Sequence, residues 1–71
     1  MEINYDKEND ILYIEFSKDG FFKDKKIDDF TIFELDKNGN ILGIELLDIS
    51  KRIPADSLSK LYVENLQVIA N

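Results

Sequence analysis

Apolar and polar residues alternate with a period of two through much of the chain, the spacing of strands that bury one face. Ile3 and Tyr5 alternate with Glu2, Asn4 and Asp6, which predicts a short outer strand ending at the polar run Asp6-Lys7-Glu8-Asn9-Asp10. Ile11-Leu12-Tyr13-Ile14-Glu15-Phe16 predicts a second strand, with Leu12, Ile14 and Phe16 on one face and apolar Ile11 and Tyr13 on the other. Ser17-Lys18-Asp19-Gly20 is a turn signal, and the charged stretch Lys23-Asp24-Lys25-Lys26-Ile27-Asp28-Asp29 reads as an exposed irregular connection or an extended edge. Residues 30–35 and 41–47 then predict two more strands joined by Asp36-Lys37-Asn38-Gly39-Asn40.

That last connection sets a register. With Asn38-Gly39 as a two-residue turn, Phe33 faces Ile44 and Leu35 faces Leu42. With a type I turn and Gly39 left-handed in a bulge, Ile32 faces Ile44 and Glu34 faces Leu42. Hydrophobic pairing favours the first, because a carboxylate opposite Leu42 on a core face is costly. The flanking polar residues keep the bulged form open.

After Asp48 the period changes. Pro54 suits the first turn of a helix, where it loses no intrahelical hydrogen bond, and Asp56 favours the positive helix end. Leu58, Leu61, Tyr62 and Leu66 then recur at helical spacing. Val63, Val68 and Ile69 fall off that stripe, so the last residues are left as an extended tail or a contact with a second copy. The expectation is a single small α+β domain over residues 1–71, with a sheet over about 2–48 and a helix over 54 to about 65 on one face.

One internal echo bears on the topology. Asp6-Lys7 followed by Ile11-Leu12-Tyr13-Ile14-Glu15 recurs thirty positions later as Asp36-Lys37 followed by Ile41-Leu42-Gly43-Ile44-Glu45. Two units, each a polar turn feeding a buried strand, predict two hairpins in sequence and hence a four-stranded antiparallel meander.

Composition narrows the chemistry. The 71 residues carry 9 basic and 15 acidic side chains, a net charge of -6, and no Cys, His or Trp. That removes disulfides, thiolate nucleophiles and the commonest acid-base group and metal ligand. Acidity argues against a phosphate-tracking surface, so no nucleic-acid partner is expected. With neither an apolar run long enough to span a bilayer nor a basic-then-apolar leader, a cytoplasmic location without a membrane partner is expected.

Candidate sites each meet a plainer reading. Asp36 through Asn40 resembles the opening of a calcium loop, but Ile41 replaces the required Gly and Leu47 the bidentate Glu. Asp6, Glu8 and Asp10 form a carboxylate cluster better read as a solvated turn. Glu15, Glu34 and Glu45 could line one sheet face as paired carboxylates, although so small a domain has little depth for a cleft. Ser17, Ser50, Ser57 and Ser59 have no histidine to activate them. Lys23, Lys25 and Lys26, with Lys51 and Arg52, are basic groups that could touch an acidic partner or guard an exposed edge. No catalytic, cofactor or metal residue is therefore assigned.

The apolar surplus is the stronger signal. Tyr5, Tyr13, Phe16, Phe21, Phe22, Phe30, Phe33 and Tyr62 crowd a short chain, and the central strands are apolar on both faces while one helix covers one. Ile11, Tyr13, Ile41, Leu47, Tyr62, Val68 and Ile69 are the candidate interface, for a homodimer or one protein partner. A noncatalytic, self-associating protein-interaction domain is the leading expectation, with a small-ligand or metal-binding domain using Asp6, Glu8, Asp10 or Asp36 as an alternative.

Tyr5-Asp6, Asp10-Ile11-Leu12-Tyr13-Ile14, Asp28-Asp29, Asp36 through Gly39, and Gly43-Ile44-Glu45-Leu46-Leu47-Asp48 running into Ser50-Lys51-Arg52 together resemble a family of small bacterial and archaeal proteins, domain of unknown function 2283 (DUF2283), over about residues 2–55. The resemblance implies no activity, cofactor or substrate. It implies at most an antitoxin-like role, as partner of a small toxin protein, and assigns that role to no residue. Glu34 and Leu35 depart from the family's usual aspartate and tyrosine, which weakens any shared polar site there.

Overall fold

The computed structural model describes residues 1–64. Five strands, β1 (Glu2–Asp6), β2 (Ile11–Glu15), β3 (Lys23–Asp28), β4 (Thr31–Leu35) and β5 (Ile41–Leu47), are followed by a single 3-10 turn at Ile49–Lys51 and helix α1 (Ala55–Glu64). All neighbours are antiparallel, in the order β1-β2-β5-β4-β3. The α+β class and the helix after the sheet agree with the sequence pattern. The four-stranded meander does not: the described residues form five strands, and β2 pairs with β5 rather than with its successor.

The physical reason is burial. A central strand is flanked on both edges, so the two segments with apolar residues on both faces, β2 and β5, lie side by side at the middle. β3 lacks apolar alternation and is exposed along its whole length, so only an edge accommodates it. Backbone pairing recruits it where side-chain burial could not.

The sequence echo has a geometric counterpart. Ile14 and Ile44, equivalent in the two matching units, face each other directly across β2 and β5. A pseudo-two-fold axis between them relates the β1–β2 hairpin to the β4–β5 hairpin. The two turns share their chemistry as well. Asp6 accepts hydrogen bonds from the Asn9 backbone and side-chain amides (3.1 and 2.8 Å), and Asp36 from the Asn38 and Asn40 backbone amides and the Asn40 side chain (2.9, 2.8 and 2.9 Å).

Both registers considered for the second hairpin occur, at different ends. Phe33 faces Ile44, as the two-residue turn requires, but next to the turn Leu35 faces Ile41 and the ladder slips between Glu34 and Leu35. Gly39 is left-handed at φ 87° and its amide bonds to the Asp36 carbonyl (3.1 Å), a type I turn with a bulge. Leu42 is the extra residue that absorbs the shift; it is buried, and its carbonyl accepts from both Phe16 and Ser17 amides (2.8 and 3.1 Å).

Alternation places Ile3, Tyr5, Leu12, Ile14, Ile44, Leu46 and Phe33 on one face. The core forms there from Tyr5, Leu12 and Ile49, packed by Ile3, Leu46, Ile53 and Leu58. Among the described residues Ile49 is the most buried, 2% exposed. It reaches the core because Asp48, left-handed at φ 51°, turns the chain off the sheet. Asp10, itself left-handed at φ 58°, holds it there. The Asp10 carbonyl accepts from Ile49 N (3.1 Å), and its carboxylate accepts from Ser50 N (3.0 Å), Ser50 Oγ (2.5 Å) and Tyr5 Oη (3.1 Å). These bonds, the Ser50 hydroxyl first, hold the Asp10 carboxyl below the usual range.

Arg52 makes the second clamp, donating to the Phe30 carbonyl (2.6 Å) and Thr31 Oγ1 (3.0 Å). Pro54 lies just outside α1, and its carbonyl accepts the Leu58 amide (3.0 Å). Leu66, Val68 and Ile69 lie outside the described residues, as do the side chains of Leu61, Tyr62 and Val63.

Truncating Ile49 to Ala is expected to cost about 3 kcal/mol, a large share of the stability of so small a domain. Ile41→Ala, at a side chain 41% exposed, is expected to change stability by less than about 0.5 kcal/mol. Urea unfolding followed by circular dichroism compares the two.

Candidate functional site

The sheet face opposite α1 carries the candidate chemistry. Its residues, read by alternation, include Glu2, Asn4 and Asp6 on β1, Ile11, Tyr13 and Glu15 on β2, Gly43, Glu45 and Leu47 on β5, Ile32 and Glu34 on β4, and Asp24 and Lys26 on β3. Glu15, Glu34 and Glu45 therefore share one face, and β3 adds Asp24 to them.

One row runs straight across the sheet. Glu2 faces Glu15, Glu15 faces Gly43, Gly43 faces Glu34, and Glu34 faces Asp24. Two like-charge pairs thus stand directly opposite each other, an arrangement that destabilises a sheet. Carboxylate oxygens of Asp24, Glu34 and Glu45 lie within 4.8 Å of one another. Burial, and then the charges of Glu34 and Asp24, push the Glu45 carboxyl above its ordinary value.

Tyr13 organises the centre. Its ring lies over Gly43, where a Cβ would stand 2.7 Å from the phenol oxygen, and its hydroxyl donates to Glu34 Oε1 at 2.6 Å. A longer contact of 3.5 Å reaches Glu15. Burial, the Glu34 hydrogen bond and the Glu34 and Glu15 charges hold the phenol well above the tyrosine range, so it stays protonated as a donor. Gly43 occupies the position that the internal echo pairs with Tyr13. Two large side chains cannot fill both, which explains where the echo departs from identity.

Other candidates lie elsewhere. Asp6 and Asp36 direct their oxygens to their own turns, and Asp10 to Ser50 and Tyr5; their carboxyls are held low by these bonds. Ile11 and Leu47 face each other on the open side, half-buried, at the far end from the carboxylate row. Ile41 is exposed beside the β4–β5 turn. Lys26 pairs with Asp29 (3.4 Å) and Lys18 with Glu2 (3.8 Å), both exposed and worth little. A groove of about 360 Å³ lies between Gly20-Phe21-Phe22 and Asp36-Lys37-Asn38, away from the carboxylates.

Two members of the face, Asp24 and the Tyr13–Gly43 contact, were not legible as site features. The alternation Lys23-Asp24-Lys25 was the available sign of a strand, and the Gly in the echo was the available sign of a ring crossing it. Chemically, the arrangement offers concentrated negative charge, one protonated phenol and an apolar margin, open to solvent.

Glu45→Gln is expected to raise the thermal midpoint at neutral pH. A carboxyl whose folded value is raised stabilises the fold while protonated and loses that contribution as pH rises through it. The gain over the wild type should therefore shrink as pH falls through the raised Glu45 value and be gone once pH is below the ordinary glutamate value, where both chains are uncharged at this position. Gly43→Ala should displace Tyr13, cost about 1 kcal/mol for the lost hydrogen bond, and return one tyrosine toward the ordinary value of about 10 in ultraviolet titration.

The profile of a protein family of unknown function, DUF2283, matches residues 2–50. An uncharacterised protein of Methanocaldococcus jannaschii is 39% identical over 57 residues, covering 79% of this chain and 47% of that protein. The chain spans about half the length of that curated relative. No solved structure matches significantly. The matched residues hold the whole sheet, the Tyr13–Glu34 contact and the Asp10–Ser50 clamp, and they cover more than half of the chain. The chain belongs to the DUF2283 family.

Proposed function

We propose that this chain is a noncatalytic protein-interaction domain whose open sheet face docks a basic protein surface. The carboxylate row supports this reading above all: the fold bears the cost of directly opposed like charges, which an incoming cationic surface removes. Tyr13, Ile11, Ile32 and Leu47 supply apolar area beside the charge, as interface cores do. A second copy does not suit this face, because two such rows would repel. Any self-association uses another surface, and the exposed Phe21, Phe22 and Phe30, which flank β3 in the chain, favour one near that strand.

A basic partner agrees with the antitoxin-like role that the family resemblance implied, in which this acidic chain neutralises a small toxin protein. A divalent cation held by Asp24, Glu34 and Glu45 is the second reading, favoured by the mutual approach of their oxygens. It uses none of Asp6, Asp10 or Asp36. Among the described residues no helix is long and apolar enough to cross a membrane, and cytoplasmic operation remains part of the proposal.

Co-expression with the product of the adjacent gene, followed by calorimetric titration, is the test. Binding that weakens with salt and is lost in a folded Asp24→Asn, Glu34→Gln, Glu45→Gln triple variant is the expected result. Binding unaffected by the triple variant would exclude this face. A melting curve raised by a divalent ion in the wild type, and unchanged in the triple variant, would favour the cation reading instead.

A further inference from the structure

Among the described residues the outer edge of β3 pairs with no strand, and its charge pattern complements itself. We propose that β3 pairs with β3 of a second copy in an antiparallel two-fold dimer centred on Lys25, which places the partner's Lys26 opposite Asp24 at the end of the carboxylate row. β3 is the last strand of the sheet, and all six of its residues are exposed.

Backbone phase restricts how this edge can pair. Leu47 N donates to the Phe30 carbonyl (2.8 Å), so Phe30, Ile32 and Glu34 turn their backbone groups toward β5 and Thr31, Phe33 and Leu35 toward β3. The Leu35 carbonyl accordingly accepts from Phe22 N (2.8 Å). Because Lys25 faces Phe33 and Lys23 faces Leu35, those lysines bond inward while Asp24 and Lys26 present amides and carbonyls outward. A two-fold pair must oppose outward-bonding residues to one another.

Beyond Lys23 and before the bulge between Lys26 and Asp28, three centres meet this condition. Centred on Asp24, the aspartate opposes its own copy. Centred on Lys26, that lysine opposes itself and Asp24 opposes Asp28. Centred on Lys25, Asp24 opposes the partner's Lys26 twice, once on each side of the axis. Direct cross-strand neighbours are about 5 Å apart at Cβ, so each copy receives a cation beside its Asp24, Glu34 and Glu45. The two Lys25 side chains meet on the α1 side of the sheet, which keeps the dimer weak and reversible.

The Cys-free chain gives a direct register test. Under mild oxidation K25C is expected to form a covalent dimer readily, since the non-hydrogen-bonded pair at the axis has disulfide-compatible spacing, whereas D24C and K26C should lag. Sedimentation equilibrium across the micromolar range is expected to show a reversible dimer that K26E weakens by about tenfold or more, that the swap D24K/K26D restores, and that K25T tightens. A wild type that stays monomeric, equal cross-linking by all three cysteine variants, or a K26E dimer as tight as the wild type would overturn the proposal. A monomer that still binds its basic partner would remove the dimer alone and leave the docking role of the open face standing.

Discussion

The pairing of β2 with β5 is the constraint on which the molecule depends. Each strand carries apolar residues on both faces, and such a strand loses least when neighbours flank both edges. Setting them together, with Ile14 against Ile44, fixes the pseudo-two-fold axis and sends the two hairpins outward on either side. It also brings Tyr13 across Gly43 toward Glu34, and it leaves β1 and β3 as the outer strands. The open carboxylate face is therefore a consequence of how the core is buried, because every side chain that alternates with a core residue points there.

A small core needs polar reinforcement, and this chain supplies it at the junction between sheet and helix. Asp10 binds Ile49, Ser50 and Tyr5 at once, and Arg52 ties the start of β4 to the segment before α1. Both clamps join residues far apart in sequence, so they form only when the native topology is in place. The left-handed backbone at Asp10 and Asp48 costs roughly 1–2 kcal/mol each, and the burial of Ile49 together with these bonds offsets it. The residues that carry the family resemblance largely coincide with these contacts, which gives much of the motif a structural role.

The open face runs the other way. Its directly opposed carboxylates lower stability, and the half-buried Glu45 is held against its own ionisation. Relieving such features commonly stabilises a fold at a cost in function where a site depends on them, which is why the proposed docking surface is assigned to this face. That contrast separates the Asp10 clamp, where charge is fully satisfied within the chain, from the Glu34 and Glu45 region, where it is not.

Local periodicity was enough to read the strands β1, β2, β4 and β5, the polar turns at Asp6 and Asp36, and a helix beginning near Pro54, because each depends on neighbours a few residues away. The sharing of a face by Glu15, Glu34 and Glu45 followed from alternation alone. What only the tertiary structure decided was the order of the strands, the recruitment of Lys23–Asp28 as an edge, the slip at Leu42 and the Tyr13–Gly43 crossing. Those outcomes turn on which distant surfaces bury one another, and alternation states only which side a residue faces, not what lies beside it.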